Sequence, residues 1–258
     1  MTKFDKLRSI TNYLNVFSTP FDALKFRKLY HNKLNDLKEV SLRVKEAKNN
    51  LLIARPNTTD AQVLWDTFYR KYHLPPVSLR EDAIIVDLGS NVGYTIMHFA
   101  FLYPKSHIYG VEMDLNNFEL AKKNLRNLKS QCSIIHAAVW SNDGYIKYDG
   151  KGEWGYKVLY NDSQKGIKTQ QQAPAKTLDT IFAEFNLKRV DYLKMDIEGA
   201  EKFVLENPGK WINLVKSMKI EVHPPADITS CLQILKNCGF NCYKDNNHPM
   251  GIVAIKEN

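Results

Sequence analysis

The sequence predicts an α/β fold built on a mostly parallel sheet with one antiparallel strand, and three observations predict it. An apolar run, Ala83 to Val86, ends in Asp87, passes Gly89, Asn91 and Gly93 at every second position and enters a helix-like segment, Tyr94 to Leu102, the pattern of a buried strand turning sharply into a helix. From residue 81 onward, apolar strand-like and helix-like segments alternate at the spacing of parallel βαβ units. The last two strand-like segments, Phe240 to Lys244 and Gly251 to Lys256, are separated by only six residues. That is too short for a helical crossover, so these two strands should pair antiparallel.

Composition bounds the rest. With 258 residues and 44% hydrophobic content, the chain can bury one substantial α/β domain plus an extension, which excludes global disorder. It contains no 18-residue apolar run, and its first residues lack the apolar core and cleavage site of a signal peptide; a cytoplasmic protein is expected. Cys132, Cys231, Cys238 and Cys242 form no CxxC pair and are expected as buried free thiols. Residues 1–80 carry 15 Lys and Arg against 7 Asp and Glu, whereas residues 81–258 carry 21 of each. The whole net charge of +8 therefore belongs to the first third, which marks a solvated helical face or a docking surface for an anionic partner such as nucleic acid or lipid head groups.

In chain order, residues 1–50 show apolar positions at helical spacing among many lysines, including Leu34, Leu37, Val40 and Val44, and predict amphipathic helices. Thr58 and Asp60 can cap a further helix over Ala61 to Tyr72, stopped by Pro75 and Pro76. The boundary is placed at residue 80, dividing a basic helical extension (1–80) from the α/β domain (81–258). Within that domain His107 to Glu112 reads as the second strand, Leu115 to Leu128 as a helix and Cys132 to His136 as the third strand. Residues 139–175 break the rhythm with repeated glycines and alternating segments, which suggests an inserted hairpin. A helix (Leu178 to Phe185), a strand (Val190 to Met195), a helix (Ala200 to Glu206), a strand (Met218 to Val222) and a helix closed by Gly239 follow.

The glycine loop implies a nucleoside ligand, because glycines let backbone approach a ligand closely and the following helix N-terminus presents free N–H groups. A dinucleotide site favours a second glycine where Asn91 stands and a third further on; neither is present. Glu112 lies 19 residues past Gly93, at a strand end, where a carboxylate can accept hydrogen bonds from both ribose hydroxyls. The pattern Asp87-x-Gly89-x-Asn91-x-Gly93, Glu112 after Gly-Val, Ala137 to Val139, KTLDT (Lys176 to Thr180), DYLKMDIEGAE (Asp191 to Glu201) and EVHP (Glu221 to Pro224) resembles the FkbM family of S-adenosylmethionine-dependent methyltransferases. The resemblance covers roughly residues 83–256, leaves out residues 1–75, and has Met113 where the family usually places proline.

That resemblance implies a Rossmann-like, seven-stranded class I methyltransferase fold and methylation of a hydroxyl on a small molecule, sugar or glycan, with S-adenosylmethionine as donor. It places Asp87, Gly89 and Gly93, with Asn91 in the same loop, around the methionine part of the cofactor, Glu112 at the ribose and Ala138 at the adenine edge. Asn142 or Asp143 could reach the adenine amine, although turn chemistry around Gly144 explains both.

Methyl transfer to a hydroxyl requires alignment and removal of a proton, and in open α/β sheets the reacting groups sit beyond the carboxyl ends of the strands. Lys194-x-Asp196-x-Glu198 and Glu221-x-His223 occupy two such ends. Lys194, inside an apolar strand, should be neutralised by Glu221 or another carboxylate. Asp196 is placed to touch both cofactor and acceptor, Glu198 to share that role or to cap a helix, and Glu201 to act as a first-turn acid. His223 is the general-base candidate, because an unperturbed imidazole is partly neutral near pH 7. These acids and His223 are hard-metal donors, but no HExxH-like or thiolate spacing specifies a site, and no metal is expected. Trp140, Trp154 and Tyr156 could stack on an acceptor, and His248 should lie at the active end. Two other readings compete. A nucleic-acid methyltransferase would use the basic extension but lacks the (D/N/S)PP(Y/F) segment at this strand end. A non-catalytic adaptor would bind the cofactor and dock a partner or membrane surface through the extension.

Overall fold

The computed structural model describes residues 11–34, 36–48, 50–149 and 170–256. Its centre is a seven-stranded sheet in the order β11-β12-β10-β9-β3-β4-β5. These strands are β3 (Ile84–Leu88), β4 (His107–Glu112), β5 (Cys132–His136), β9 (Tyr192–Met195), β10 (Ser217–Glu221), β11 (Phe240–Lys244) and β12 (Gly251–Lys256). β12 runs antiparallel to both β10 and β11, while the remaining neighbours are parallel. The expected antiparallel final strand is therefore present, inserted between β10 and β11. The chain winds outward from β3 through β4 to β5, then returns to place β9 against the other edge of β3. The gap between the carboxyl ends of β3 and β9 is the topological switch point, where an open α/β sheet forms its crevice.

Two apolar layers sandwich the sheet, because successive strand residues point to opposite faces. Val86, Leu88, Leu193 and Met195 pack with Leu178, Trp211 and Leu235. Ile85 and Tyr192 pack on the other face with Tyr94, Ile96 and Phe99 of α3 (Tyr94–Leu102), and with Phe17, Phe26, Leu42, Leu52 and Leu64 from before residue 80. The first third of the chain thus supplies one covering layer of the sheet. It includes α1 (Pro20–Tyr30), capped by the Thr19 hydroxyl on the Asp22 amide, and α2 (Asp60–Trp65).

Two expectations for this layer are corrected. Residues 40–54 are not an amphipathic α-helix but a hairpin of β1 (Val40–Arg43) and β2 (Leu51–Ala54), joined through a single 3-10 turn over Lys45–Ala47. The buried residues are Val40, Leu42 and Val44, a period of two that the helical reading of Leu34, Leu37, Val40 and Val44 passed over; β-branched residues on a half-buried face favour the strand. The helix foreseen over Ala61 to Tyr72 widens to π-helical turns over Asp66–Arg70 and stops at Lys71, whose φ is +60°. This redirects Tyr72 and His73 toward the sheet.

β6 (Ala138–Val139), β7 (Gly144–Asp149) and β8 (Gln170–Lys176) form a small second sheet, with β7 and β8 antiparallel. Trp154 and Tyr156 lie outside the described residues. The four cysteines are free, three of them buried. Among the described residues no helix is long and apolar enough to cross a membrane.

Phe26 is fully buried and stacks on Phe17 and Trp65. Phe26→Ala should cost about 3–5 kcal/mol and shift one cooperative denaturant transition. A separate early transition with the main midpoint unchanged would contradict a shared core.

Candidate active site at the β3/β9 switch point

β3 enters the site through Asp87, and the following loop fits only one backbone path. Gly89 has φ +77°, and a Cβ there would stand 1.8 Å from the carbonyl oxygen of Asp196. Any larger residue would force the ends of β3 and β9 apart. Asn91 is also left-handed, at φ +49°, a conformation its short amide tolerates. Its own Oδ1 accepts from the Val92 amide at 2.8 Å. Gly93, at φ +82°, opens α3.

Glu112 ends β4 beside this loop. Its two carboxylate oxygens accept from the backbone amides of Asn91 and Asp114, each at 2.8 Å, so the group is fixed before any ligand arrives. Burial pushes its pKa up to about 7, against the lowering effect of those two amides. Asp114 also caps α4 (Leu115–Asn124) through the Asn117 amide. A cavity of about 340 Å³ opens here. Gly89, Asn91, Glu112, Met113, Ala138, Asp196 and Glu198 line it.

Beneath the cavity floor, Asp87 and Lys194 are register partners on β3 and β9. Lys194 Nζ lies 3.4 Å from Asp87 Oδ1 and 3.2 Å from Asp196 Oδ2, and donates to the Gly89 carbonyl at 3.3 Å. Burial disfavours its charge, but Asp196 and Asp87 more than offset this and hold the ammonium pKa above its usual value. The expected neutralising partner Glu221 acts only at longer range; Asp87 and Asp196 make the contacts. Burial raises the pKa of Asp87, opposed by Lys194 and by the Thr95 hydroxyl that donates to Oδ2. Asp87 Oδ1 is sealed from solvent and has no formal hydrogen bond, leaving Lys194 as its ion-pair partner.

The second wall is acidic. Glu201, fully buried at the start of α6 (Glu201–Glu206), accepts from the amides of Ile197 and Gly199 and faces His223 Nδ1 at 3.1 Å. His223 Nε2 lies 3.4 Å from Glu221 and 3.7 Å from Glu198. Burial would lower the His223 pKa, yet the hydrogen bonds its ring donates to Glu201 and Glu221 push it up to about 11. The partly neutral imidazole expected at this position is therefore an imidazolium, and His223 stands behind the cavity wall, among carboxylates that do line it. Burial and then Asp196 push Glu198, itself left-handed at φ +55°, up to about 7. His223 and His248 hold Glu221 below its usual range despite burial.

Asp196, Glu221 and His223 offer ligand atoms all within 4.8 Å of one another. This is the donor chemistry of a hard divalent cation, assembled by strand pairing and invisible as a sequence spacing.

Asp143 accepts from the Thr177 amide and the Thr180 hydroxyl at the start of α5 (Leu178–Glu184), so turn and cap chemistry account for it. Trp140 packs on Phe203. His248 lines the cavity, 3.7 Å from Glu221. Sequence reasoning missed Gln62, Asp66, Arg70 and His73, all of which line the cavity from the N-terminal layer. The mixture of charged and aromatic residues just before Pro75 was the available signal.

A family model for the methyltransferase FkbM domain matches residues 87–242, which include both ends of the switch point. The chain belongs to the FkbM methyltransferase family. Two curated relatives are the 2-O-methyltransferase NoeI of Sinorhizobium fredii, 26% identical over 52% of this chain, and the hexuronic acid methyltransferase AglP of Haloferax volcanii, 22% identical over 60%. The matches span 62% and 64% of those relatives' lengths. The solved structure of methyltransferase FkbM from Methylobacillus flagellatus is 13% identical, with TM-score 0.50, over 97% of this chain and 59% of that one. That likeness supports the α/β fold of this FkbM family member.

A raised carboxyl pKa stabilises the fold below the group's unfolded value, and that contribution is lost as pH rises through the folded value. The ligand-free protein should therefore lose thermal stability between about pH 5 and pH 7.5, the interval below and across the Glu112 and Glu198 values of about 7. Glu112→Gln should flatten part of that slope. A slope identical to wild type in scanning calorimetry would show that the Glu112 carboxyl is not perturbed.

Proposed function

We propose that this protein transfers the methyl group of S-adenosylmethionine to a hydroxyl of a saccharide or sugar-like small molecule. The observation that carries the proposal is Glu112, pre-oriented by two backbone amides on the cavity wall next to a loop that admits only glycine at position 89. An ionised carboxylate with free lone pairs suits a ribose diol. The Gly89 close approach, held by the Asp87–Lys194 pair beneath it, fits the amino-acid end of the donor. The small Ala138 side chain leaves room for a flat base edge. Family membership, the 2-O-methyltransferase name of one relative and the hexuronic acid named for the other support the same class of acceptor.

When bound, the cofactor supplies a sulfonium methyl whose displacement needs an aligned oxygen nucleophile. The chain's own residues do the rest. Glu112 orients the ribose. Lys194 fixes Asp196 at the switch point, where its carboxylate can accept a hydrogen bond from an acceptor hydroxyl next to the one that is methylated. His223 holds Glu198 and Glu221 in place by standing between them and Glu201. The acceptor meets the polar wall made by Gln62, Asp66 and Arg70.

Titration calorimetry should show binding of S-adenosylmethionine and of S-adenosylhomocysteine. Glu112→Ala should weaken both by at least about tenfold, the loss of one charge-assisted hydrogen-bond set at about 1.5–3 kcal/mol. Absence of binding by the wild-type protein would overturn the proposal. Transfer of a labelled methyl group to D-glucuronic acid and simple methyl glycosides, compared with oligonucleotides, checks the acceptor class; Asp196→Asn should lower turnover by about 10²-fold while cofactor affinity stays within threefold.

A further inference from the structure

A second pair of ionisable groups lies apart from the acidic wall. His73 and His98 are both buried, and His73 Nε2 and His98 Nδ1 are 2.9 Å apart. The other nitrogen of His98, Nε2, lies 2.9 Å from Oε2 of Glu46, a residue two-fifths exposed at the surface that also pairs with Lys71 at 2.6 Å. The Glu46 oxygen stands off the line of the His98 N–H, so Nε2 has no formal hydrogen bond. The distance is that of an ion-pair contact. His73 lines the cavity. None of the described residues hydrogen-bonds to its Nδ1, and that atom is not among the nitrogens sealed from solvent.

The tautomers follow from the surface inward. An ionised carboxylate only accepts, so His98 must carry its proton on Nε2 and present a lone pair at Nδ1. His73 must then donate from Nε2, which leaves the lone pair of its Nδ1 open to the cavity. From this geometry we propose that His73 is the base that takes the acceptor's hydroxyl proton, and that His98 and Glu46 conduct that proton to the surface. The proposal rests on the methyltransferase reading. As the acceptor oxygen forms its bond to the methyl carbon, the sulfur–carbon bond breaks with its electron pair on sulfur. The O–H bond breaks toward His73 Nδ1, the Nε2 proton of His73 passes to His98 Nδ1, and the Nε2 proton of His98 passes to Glu46 and then to water. One proton leaves per methyl transferred.

The surroundings explain why a relay is needed rather than a lone imidazole. Burial opposes a positive charge on His73 first, and His98 of α3, Lys194 of β9, Lys219 of β10 and Lys71 oppose it further. Asp196, Glu221 and Asp245 stand with His73 around a smaller adjoining cavity of about 50 Å³, where Asp245 neutralises Lys219 at 2.9 Å. A proton left on His73 would be unfavourable; handed on to Glu46, it leaves no buried charge behind. His73 touches the acceptor and is the catalytic residue here, whereas His98 and Glu46 are positioning residues that set its tautomer.

The test begins without any acceptor. Nitrogen-15 NMR of the full chain labelled at histidine should show His73 and His98 neutral from pH 5.5 to 8, both protonated at Nε2 with unprotonated Nδ1. Glu46→Ala, a surface change that leaves the core untouched, should let His98 populate both tautomers and shift the His73 signals with it. Unchanged tautomers in Glu46→Ala, or a proton on His73 Nδ1 in the wild type, would overturn the relay. With D-glucuronic acid as probe, His73→Asn should keep S-adenosylmethionine affinity within twofold and lose about 10²-fold in turnover, and Glu46→Ala should lower kcat without moving KM. Full turnover in His73→Asn would also overturn the relay. A wild-type protein that binds no S-adenosylmethionine would instead overturn the methyltransferase reading, independently of the tautomers.

Discussion

The ion cluster Asp87–Lys194–Asp196 is the constraint on which the rest of the structure depends. Lys194 is register partner to Asp87 on one side and to Lys219 on the other, so the ammonium sits in the middle of the sheet's polar end. A buried ammonium is costly unless paired and hydrogen-bonded. Here two carboxylates and the Gly89 carbonyl surround it. The same contacts tie β3 to β9 at the one place where the winding of the sheet reverses, and the close approach of Gly89 to the Asp196 carbonyl follows from that tie. Glycine loop and acidic wall therefore share one geometry.

The N-terminal third is best understood through packing rather than charge. Phe17, Phe26, Leu42, Leu52 and Leu64 join Ile85 and Tyr192 in one core, so this segment is the outer layer of a three-layer sandwich. Asn124 of α4 binds the Ile53 backbone through both amide atoms and also donates to the Val92 carbonyl, fastening the hairpin to the glycine loop. Among the described residues, Lys28, Lys33, Lys38, Arg43, Lys45 and Lys48 stand on the solvent side of this layer. Its inner edge, from Gln62 to His73, becomes cavity wall.

The acidic wall illustrates how context sets the character of a side chain. Glu198, Glu201, Glu221 and Asp196 crowd around one imidazole. The crowding pushes a proton onto His223 and raises Glu198, while Glu221 beside two histidines moves the other way. His73, equally a histidine but fully buried and facing His98 and Lys194, moves opposite to His223. Two identical side chains are thus pushed in opposite directions by their surroundings.

Local order and family were legible in the sequence. The strand-turn-helix at Asp87 to Leu102, the acid closing β4 and the DIEGAE segment each lie within a few contiguous residues, where periodicity and backbone conformation decide the outcome. The antiparallel final strand followed from the length of one loop. The 40–54 hairpin was not legible, because Val40 and Val44 satisfy a helical spacing as well as a strand spacing, and only the core that receives Leu42 separates the two. The partner of Lys194, the charge of His223 and the Glu46–His98–His73 chain depend on which strands become neighbours and which groups are excluded from water. Electrostatic energies and hydrogen bonds act through space over a few ångströms, so sequence alone determined the glycine loop, whereas only the tertiary structure decided that His73 and His248 line the cavity while His223 stands behind its wall.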